Sequence, residues 1–352
     1  MVQNAIPNPL PDTVRAVRVA SLEDITVETV PAPQPLPGEA LLQPIYVGIC
    51  GSDTHAAAGL HPFIDLPYWP GHEILATVVA TPWGVPKEWM GRRVVVEPNL
   101  VCGECPQCLA GRYNICRRVA VFGCQTRGAL TDLFTIGSSH LVPVPDALSD
   151  ERAALIEPLA TPVHAVRRCG DLHGKRVLVI GAGPIGLLTL VAARRAGAAA
   201  VAVSDVLASK RALAERFGAT GTVDPTSGSV AEAAAAVVEV LGGPADAVLD
   251  CVVAGPTIEL GVAVLTKGGR LMVVGVPAGN VSVPLNLVQD RELELVGNLM
   301  YTRPDYLDAI DTLLDPSWPA EDLITAVYPL GQAAQAFAAA TDPESVKTLV
   351  RL

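Results

Sequence analysis

The stretch that most constrains the fold runs from Arg176 to Asp205 and reads RVLVIGAGPIGLLTLVAARRAGAAAVAVSD. Val177 to Ile180 is a short apolar run of mainly β-branched residues, which is typical of a strand that is covered on both faces. A glycine turn follows, and from Pro184 to Gly197 leucine and valine recur at helical spacing. The order predicts a strand, a glycine turn, a helix and a second strand over 200–204.

The glycines of this turn have the spacing of a dinucleotide-binding site. Gly181 permits a tight turn, Gly183 leaves room for a pyrophosphate beside the backbone, and Gly186 lets the helix pack closely on the strand. The helix begins at Pro184, and the free N–H groups of the residues that follow attract phosphate charge. Asp205 ends the second strand, where a carboxylate can accept hydrogen bonds from the adenosine ribose. Glycine turns also occur without a ligand, but the flanking strand, helix and acid favour the binding interpretation.

The composition raises the question of a membrane span, because 50% of the residues are hydrophobic and the mean hydropathy is +0.38. The longest nearly apolar run, Val177 to Ala193, is interrupted by glycines and a proline and is already explained as a strand and a helix. We therefore expect no membrane span and no membrane partner. The opening residues, MVQNAIPNPLPD, have neither a basic nor an apolar region of a secretory signal, which predicts a cytoplasmic protein.

The net charge of -11 and the isoelectric point near 5.0 argue against a nucleic-acid partner. Neutralising a phosphate backbone requires clustered Lys and Arg, which this chain lacks. The negative net charge is more consistent with an enzyme that acts on a small molecule. The chain has 8 cysteines, and in a cytosolic protein closely spaced cysteines are metal ligands more often than disulfides.

Two kinds of sequence pattern indicate two domains. The first 150 residues consist mostly of short alternating runs separated by Gly and Pro, which predicts a mainly β domain. From Arg176 onward predicted strands alternate with helices, which predicts a doubly wound α/β fold with a parallel sheet covered on both sides. The elements after Asn298 exceed the strands that such a sheet needs. We therefore expect residues 1–158 and 299–352 to form one domain, and residues 159–298 to form the dinucleotide-binding Rossmann domain.

A dense set of cysteines lies in a loop rich in Gly, Pro and Asn. Four thiolates can surround a tetrahedral Zn²⁺, and such a closed shell leaves no position for substrate, so this zinc would be structural. Iron–sulfur clusters use a similar run, but there the fourth cysteine follows after three residues and precedes proline. Here it follows after seven residues and precedes Arg117. Free thiols remain the other interpretation of the set, which comprises Cys102, Cys105, Cys108 and Cys116.

A second possible metal site combines Cys50 with the adjacent pair His72 and Glu73. Taken separately, a cysteine after a strand is usually a small buried residue, and a lone histidine is usually a satisfied core or surface residue. Taken together, they supply a thiolate, an imidazole and a carboxylate, which leave zinc an open fourth position. Spacing alone does not decide between these two interpretations.

Five segments occur in the order and spacing of a known family. They are GICGSDTH, PGHE, the four-cysteine loop, ALIEPLATPVHAVRR and VLVIGAGPIG. In these segments the chain resembles the zinc-dependent medium-chain dehydrogenases/reductases of the alcohol dehydrogenase superfamily, and it is most similar to the sorbitol and threonine dehydrogenase branch. The resemblance covers nearly the whole chain except the opening residues. It implies that the mainly β domain is GroES-like.

The resemblance also implies a ligand set for a catalytic zinc, namely Cys50, His72 and Glu73, with Glu157 beside it. Zn²⁺ is neutralised by the Cys50 thiolate and the Glu73 carboxylate, so a third anion at Glu157 would leave the site with one negative charge. We therefore expect Glu157 to bind the metal transiently and to exchange with water or substrate. The alternative is that Glu157 only belongs to a helix boundary before Pro158.

The same resemblance implies roles in proton transfer and cofactor binding. Ser52 would receive the proton of the substrate alcohol, and His55 would carry it to solvent through the nicotinamide ribose. Ile185, Asp205 and Lys210 match cofactor contacts of the family. The wall around the nicotinamide is matched by Val274, Gly275, Val276, Leu299, Met300 and Tyr301.

Two positions depart from the sorbitol dehydrogenase pattern. That branch typically has Tyr after the relay histidine and an Arg-Tyr pair at the cleft, whereas this chain has Ala56 and the pair Met300-Tyr301. Two polar substrate contacts are therefore absent, which predicts a wider and less polar cleft. Trp69 and Phe122 could line a substrate pocket, but aromatic residues of a β domain more often belong to the core.

The sequence thus predicts an NAD-dependent alcohol dehydrogenase with two zinc ions per subunit. We expect it to transfer a hydride between NAD and a secondary alcohol or ketone of a small polar substrate of the polyol, cyclitol or amino alcohol type. We also expect a homo-oligomer, either a dimer or a tetramer. The alternatives are a zinc-free quinone or alkene reductase and a non-catalytic nucleotide-binding protein on the same fold.

Overall fold

The computed structural model describes residues 11–277 and 279–352. Most of the opening stretch discussed above, residues 1–10, lies outside the described residues, as does Ala278. The chain divides into two compact units. The first runs up to Glu157 and resumes at Ala320–Leu352, and the second is Pro158–Pro319.

The secondary structure follows the predicted change from a mainly β segment to alternating strands and helices. Up to residue 153 the elements are β1 (Thr13–Val19), β2 (Ile25–Pro31), β3 (Glu39–Ile49), α1 (Gly51–Ala57), β4 (Glu73–Ala80), β5 (Arg93–Val96), β6 (Asn99–Leu100), α2 (Pro106–Leu109), β7 (Ala120–Val121), β8 (Phe134–Gly137), β9 (Leu141–Pro143) and α3 (Asp150–Ala153). The next are α4 (Ile156–Cys169), β10 (Arg176–Ile180), α5 (Pro184–Arg195), β11 (Ala200–Ser204), α6 (Ala208–Arg216), β12 (Gly221–Val223), α7 (Val230–Leu241), β13 (Ala245–Asp250), α8 (Gly255–Val264), β14 (Leu265–Val273), α9 (Leu285–Asp290), β15 (Glu294–Gly297) and α10 (Arg303–Leu314). The chain closes with β16 (Ile324–Pro329), α11 (Ala333–Ala340) and β17 (Lys347–Arg351).

The first unit is organised around a sheet with the strand order β16-β17-β3-β4-β5-β9, to which β8 adds by pairing with β3. Strand β3 is central because it pairs antiparallel with β17, β4 and β8. Its inward side chains, such as Leu42 and Val47, pack with Ile74 and Ala76 of β4 in one apolar core. The sheet therefore fixes the ends of β3 and β4 relative to each other.

The second unit is a parallel sheet with the order β12-β11-β10-β13-β14-β15. The central strands are fully buried, as their continuous apolar runs predict, and Leu178, Val203 and Val248 have no exposed surface. The order reverses beside β10, which has β11 on one side and β13 on the other. In doubly wound sheets ligands bind at the carboxyl ends of the strands at such a reversal.

The segment over 299–319 belongs to the second unit, whereas the sequence analysis assigned it to the first domain. Side-chain bonds between two helices explain the difference. In α10, Asp305 lies 2.9 Å from Nδ1 of His164 in α4 and 2.5 Å from Nη1 of Arg167. Arg167 also pairs with Asp308 at 2.5 Å. Only the elements from residue 320 onward return to the first unit.

Within the described ranges, none of the helices combines the length and the apolar character that crossing a bilayer requires.

Candidate active site

Two strand ends in the first unit bring the proposed metal ligands together. Strand β3 ends at Ile49, and Cys50 is the N-cap of α1, while His72 and Glu73 stand where β4 begins. The antiparallel register pairs Gly48 directly with Glu73. As a result the sulfur of Cys50, a ring nitrogen of His72 and a carboxylate oxygen of Glu73 all lie within 4.8 Å of one another.

These three side chains fit a zinc ion. Ligand atoms around a tetrahedral zinc are separated by about 3.5 Å, so a group within 4.8 Å can close on one ion with small side-chain movements. His72 and Glu73 are buried and Cys50 is half-buried. The donor set of one thiolate, one imidazole and one carboxylate would leave a fourth position open for a substrate oxygen.

A buried carboxylate that the sequence analysis did not single out supports this group. Asp53 has no exposed surface, and its Oδ2 accepts a 2.9 Å hydrogen bond from the backbone N–H of Cys50. Its Oδ1 accepts a 3.0 Å bond from the Tyr68 hydroxyl and lies 3.8 Å from Nδ1 of His72. Burial opposes the charge of His72, but Asp53 beside it raises the pKa of His72 well above its ordinary value. Asp53 thus fixes the backbone at Cys50 and places a carboxyl group beside the imidazole of His72.

A further thiol faces the same imidazole. Sγ of Cys124 lies 3.8 Å from Nδ1 of His72. Burial raises the pKa of the Cys124 thiol, which favours its protonated form. Cys124 therefore adds a neutral, polarisable neighbour to His72 and does not add an anion.

The other side of the group contains a buried cation. Lys347, the first residue of β17, is only 2% exposed, and it forms an ion pair with Glu73. Its Nζ also donates a 3.1 Å hydrogen bond to the carbonyl of Ile49. Burial opposes the charge of Lys347, but Glu73, Cys50 and Glu157 together raise its pKa above the ordinary value. The sequence analysis did not identify Lys347, because a single lysine in a closing strand has no local signature.

The four-cysteine loop forms the closed shell that its spacing predicts. The Sγ–Sγ distances that define the cluster are 3.9 Å for 102–108, 3.6 Å for 105–108, 4.0 Å for 105–116 and 3.5 Å for 102–116. Four sulfurs bound tetrahedrally at about 2.3 Å from zinc are about 3.8 Å apart, so these distances fit one zinc ion. Backbone N–H groups also point at the sulfurs, and those of Arg117 and Cys108 lower the pKa of Cys105 to about 6.

The glycine turn of the second unit has the geometry that dinucleotide binding requires. Gly181 has a φ of +90°, and a Cβ at Gly186 would collide with the carbonyl of Gly181, so neither position accepts another residue without strain. Gly183 is the N-cap of α5 and has open space where a Cβ would be. Asp205 follows β11 and accepts a 2.6 Å hydrogen bond from the backbone N–H of Ala182.

A cavity of about 340 Å³ opens beside this turn. It lies at the carboxyl ends of β10, β11 and β13, where the strand order reverses. Its lining is mainly apolar, with a polar edge at Asp205, which suits the adenosine part of a dinucleotide. The lining includes Gly181, Asp205, Val206, Thr226, Val252 and Leu260.

Comparison with known proteins identifies the family. Residues 36–146 match the family described as "Alcohol dehydrogenase GroES-like domain", and residues 184–315 match the one described as "Zinc-binding dehydrogenase". The sorbitol dehydrogenase of Ovis aries is 34% identical over 333 residues, which are 93% of each chain. The chain belongs to the zinc-dependent alcohol dehydrogenase family.

Two further relatives agree with this assignment. A probable D-xylulose reductase A of Aspergillus clavatus is 32% identical over 321 residues, which are 89% of each chain. A putative zinc-binding dehydrogenase of Sinorhizobium meliloti, solved bound to NADP, has a TM-score of 0.90 at 32% identity and covers 97% of this chain and 100% of its own. The predicted family and fold class, a Rossmann sheet with a GroES-like domain, are therefore confirmed. This alcohol dehydrogenase is a zinc-dependent oxidoreductase that acts on CH–OH groups with NAD as cofactor.

The two residues predicted to form a proton relay, Ser52 and His55, lie on α1, next to Cys50. Ser52 is half-buried, whereas His55 is exposed and stands three residues later on the same helix. This arrangement is compatible with a relay that ends at the surface. Ala56 is 1% exposed and belongs to the apolar core of the first unit, so its small side chain packs inward.

Glu157 lies in the first turn of α4 and is 5% exposed. Among the described residues, the group of ligand atoms within 4.8 Å contains Cys50, His72 and Glu73, without Glu157. Glu157 is nevertheless close enough to Lys347 to favour the charged form of the ammonium. Its role as an exchangeable ligand therefore stays a prediction.

The remaining residues predicted to bind the cofactor differ in their position and exposure. Pro184 and Ile185 open α5, while Lys210 in α6 is only 4% exposed, so its stem is packed inside the second unit. Arg211, which the sequence analysis missed, donates a 2.8 Å bond from Nη1 to the carbonyl of Asp205. Arg211 also lies 3.2 Å from Asp224. A guanidinium thus stands beside the predicted ribose site.

The predicted nicotinamide wall consists of two segments of the second unit with contrasting exposure. Val274 and Tyr301 are buried, and Tyr301 packs edge-to-face on Tyr306 with ring centroids 5.2 Å apart. Val276 and Leu299 expose about half of their surface, at 53% and 49%. Met300 has a φ of +49°, which is uncommon for a residue with a side chain. A Cβ at Gly275 would lie 2.7 Å from the carbonyl of Cys251, so glycine is required there.

Phe122 and Trp69, which the sequence analysis considered as either pocket or core residues, have different environments. Phe122 is 8% exposed and belongs to the core of the first unit. Trp69 is half-buried, and the guanidinium of Arg127 lies 4.6 Å from its ring centroid. Trp69 also lines a cavity of about 410 Å³ together with Tyr68 and Cys124.

Proposed function

We propose that this alcohol dehydrogenase oxidises a secondary hydroxyl of a small polyol-type molecule with NAD, or reduces the corresponding ketone. The observation that carries the proposal is the group of Cys50, His72 and Glu73, whose donor atoms lie within 4.8 Å of one another in the first unit. The names of the relatives support the substrate class, because they include a sorbitol dehydrogenase and a D-xylulose reductase.

We assign the catalytic metal to this group and the structural metal to the four cysteines of the loop. When bound, the catalytic zinc would polarise the substrate hydroxyl, and the nicotinamide would accept the hydride. Cys50, His72 and Glu73 would hold that metal. Asp53 orients two of the three ligands through its bonds to the backbone of Cys50 and its approach to the imidazole of His72.

The residues of α1 would remove the proton. Ser52 stands two residues after Cys50 and is half-buried, so its hydroxyl would accept the proton of the substrate alcohol. His55 is exposed and would pass that proton to solvent. Glu157, which is buried at the start of α4, would act as the exchangeable neighbour of the metal.

The two alternative functions are not favoured. A zinc-free quinone or alkene reductase does not need a thiol, an imidazole and a carboxylate close together, and a nucleotide-binding protein without turnover would need none of them. Here all three meet at the ends of β3 and β4. The homo-oligomeric state and the cytoplasmic location stay predictions.

NADH formation across a substrate panel tests the proposed function. The panel comprises polyols, cyclitols, amino alcohols and simple secondary alcohols, and Cys50→Ser serves as the matched control because it removes one ligand atom and keeps the shape. We expect NADH formation with at least one hydroxylated secondary alcohol and none with the Cys50→Ser enzyme. Tight NADH binding without turnover of any compound in the panel would contradict the proposal.

A further inference from the structure

Lys347 is a buried ammonium that contacts the proposed metal ligand Glu73 and the residue before the ligand Cys50. It is 2% exposed, forms an ion pair with Glu73, and donates 3.1 Å to the carbonyl of Ile49, directly before Cys50. A buried charge of this kind is costly unless it is paired, so its position requires an explanation.

The strand register shows how Lys347 reaches Glu73. β17 and β4 both pair with β3, where Gly48 lies opposite Leu349 on one side and opposite Glu73 on the other. A Cβ at Gly48 would collide with the Glu73 carboxylate and would lie 2.9 Å from Cε of Lys347. The absence of a side chain at Gly48 therefore opens the space above β3 in which the ion pair forms.

The acidic groups of the site explain why an ammonium is buried there. Zn²⁺ with the Cys50 thiolate and the Glu73 carboxylate is neutral, and two further buried acids, Asp53 and Glu157, belong to the same unit, so the site holds more acidic groups than the metal alone balances. The ammonium of Lys347, paired with Glu73, supplies a cation beside these acidic groups.

We propose that Lys347 is a positioning residue of the metal site, which holds one carboxylate oxygen of Glu73 and leaves the other oxygen for the metal. This inference rests on the proposed assignment of Cys50, His72 and Glu73 to the catalytic zinc. Because Oε2 of Glu73 is the atom paired with Lys347, Oε1 is the oxygen that remains for the metal.

A double-mutant cycle on zinc affinity separates this role from simple core packing. In Glu73→Gln the Lys347 ammonium loses its partner and faces the metal position, so both the missing carboxylate and the unpaired cation disfavour zinc. In the double variant Glu73→Gln with Lys347→Met the cation is gone as well. We expect the single Glu73→Gln change to weaken zinc binding at the catalytic site by at least about tenfold and the double variant to recover most of that loss.

The dissociation constant is measured by competition with a chelator, and the catalytic site is identified as the zinc that the Cys50→Ser protein lacks. The double variant has a neutral pair, so it keeps the test valid even if Lys347→Met alone leaves a buried carboxylate and does not fold. Arg93→Met is the matched control. It removes a half-buried cation of the first unit that pairs with Asp150 at 2.6 Å, and it should leave the zinc affinity unchanged.

Cobalt substitution and kinetics add readouts that a packing role would not change. Lys347→Arg keeps the charge and should retain the visible spectrum of a cobalt-substituted catalytic site, with KM close to the wild-type value. Lys347→Met should alter that spectrum and lower kcat more than it raises KM.

Zinc affinity in the double variant that is equal to or lower than in Glu73→Gln would overturn the inference. A wild-type chain that binds zinc only at the four cysteines would overturn the proposed function and this inference with it.

Discussion

The carboxylate of Asp205 accepts a 2.6 Å hydrogen bond from the backbone N–H of Ala182. This bond joins the end of β11 to the glycine turn after β10, and a second bond of 2.9 Å from the N–H of Leu207 fixes the other oxygen. The acid is therefore held at the edge of the cavity where the sequence places the adenosine ribose. We expect its position to decide which nicotinamide cofactor the enzyme accepts.

We expect the enzyme to prefer NAD over NADP, because a ribose 2′-phosphate would lie against the Asp205 carboxylate. Asp205→Ser should shift the kcat/KM ratio toward NADP by at least about tenfold, since the repelling carboxylate is removed while the Arg211 guanidinium remains beside the site. Steady-state kinetics with both cofactors measure the shift. A wild-type enzyme whose kcat/KM for NADP equals that for NAD would show that this interpretation of Asp205 is wrong.

Glu157→Gln tests the exchangeable role of the buried carboxylate in α4. The change keeps the shape and removes the charge, so the variant should retain most of its zinc while kcat and its pH dependence change. Glu73→Gln, in the position of a permanent ligand, should lower metal affinity instead. Rate–pH profiles and metal analysis are compared for the two variants. If Glu157→Gln has the wild-type kcat and profile, the residue is only structural.

The substrate cleft should disfavour sorbitol. Met300 stands where the sorbitol dehydrogenases carry a charged residue, and Ala56 where they carry tyrosine, so two polar contacts to a linear polyol are absent. We expect kcat/KM for sorbitol to be lower than for a bulkier or less hydroxylated secondary alcohol. Because the structure places Ala56 in the apolar core, the effect should depend mainly on Met300. Sorbitol as the best substrate of the panel would contradict the prediction.

The buried carboxylate of Asp305 should make the second unit sensitive to acid. Burial would raise the pKa of Asp305, but hydrogen bonds from His164 and Thr302 outweigh burial and lower it. Its stabilising effect is therefore present above the ordinary aspartate pKa and is lost as the pH falls through the lowered value. Asp305→Asn should reduce the free energy of unfolding by about 1 to 3 kcal/mol at neutral pH, and the difference should shrink with acidification.

Asp308→Asn is the control for Asp305, because Asp308 pairs with the same Arg167 but is 56% exposed. Exposed pairs contribute little, so this variant should resemble the wild type at every pH. Denaturant unfolding from neutral to acidic pH compares the three proteins. A destabilisation by Asp305→Asn that is constant over this range would contradict the lowered pKa.

Local sequence patterns predicted the cofactor turn well. The strand over 200–204 has the predicted bounds, and glycine is required at 181 by its positive φ and at 186 by the nearby carbonyl of Gly181. Such features depend on neighbouring residues, and a single sequence contains that information. The four-cysteine loop belongs to the same class, since its ligands lie within one short segment.

Features that depend on distant contacts could not be predicted in the same way. The spacing of Cys50 and His72 left two interpretations open, because their proximity is set by the register of β3 on β4. Lys347 was missed because it meets Ile49 across 298 positions of the chain. The assignment of residues 299–319 depends on bonds such as that between His164 and Asp305, which have no sequence signature.

Metal content combined with turnover tests the central claim, that this dehydrogenase has a closed structural zinc site and an open catalytic one. We predict two zinc ions per wild-type chain. Cys50→Ser should retain one zinc, keep a melting temperature near that of the wild type and form no NADH. Cys105→Ser should lose the zinc of the four-cysteine loop and melt at a lower temperature. A wild-type protein with one zinc or none when freshly purified, or a Cys50→Ser protein with two zinc ions and normal turnover, would contradict the account.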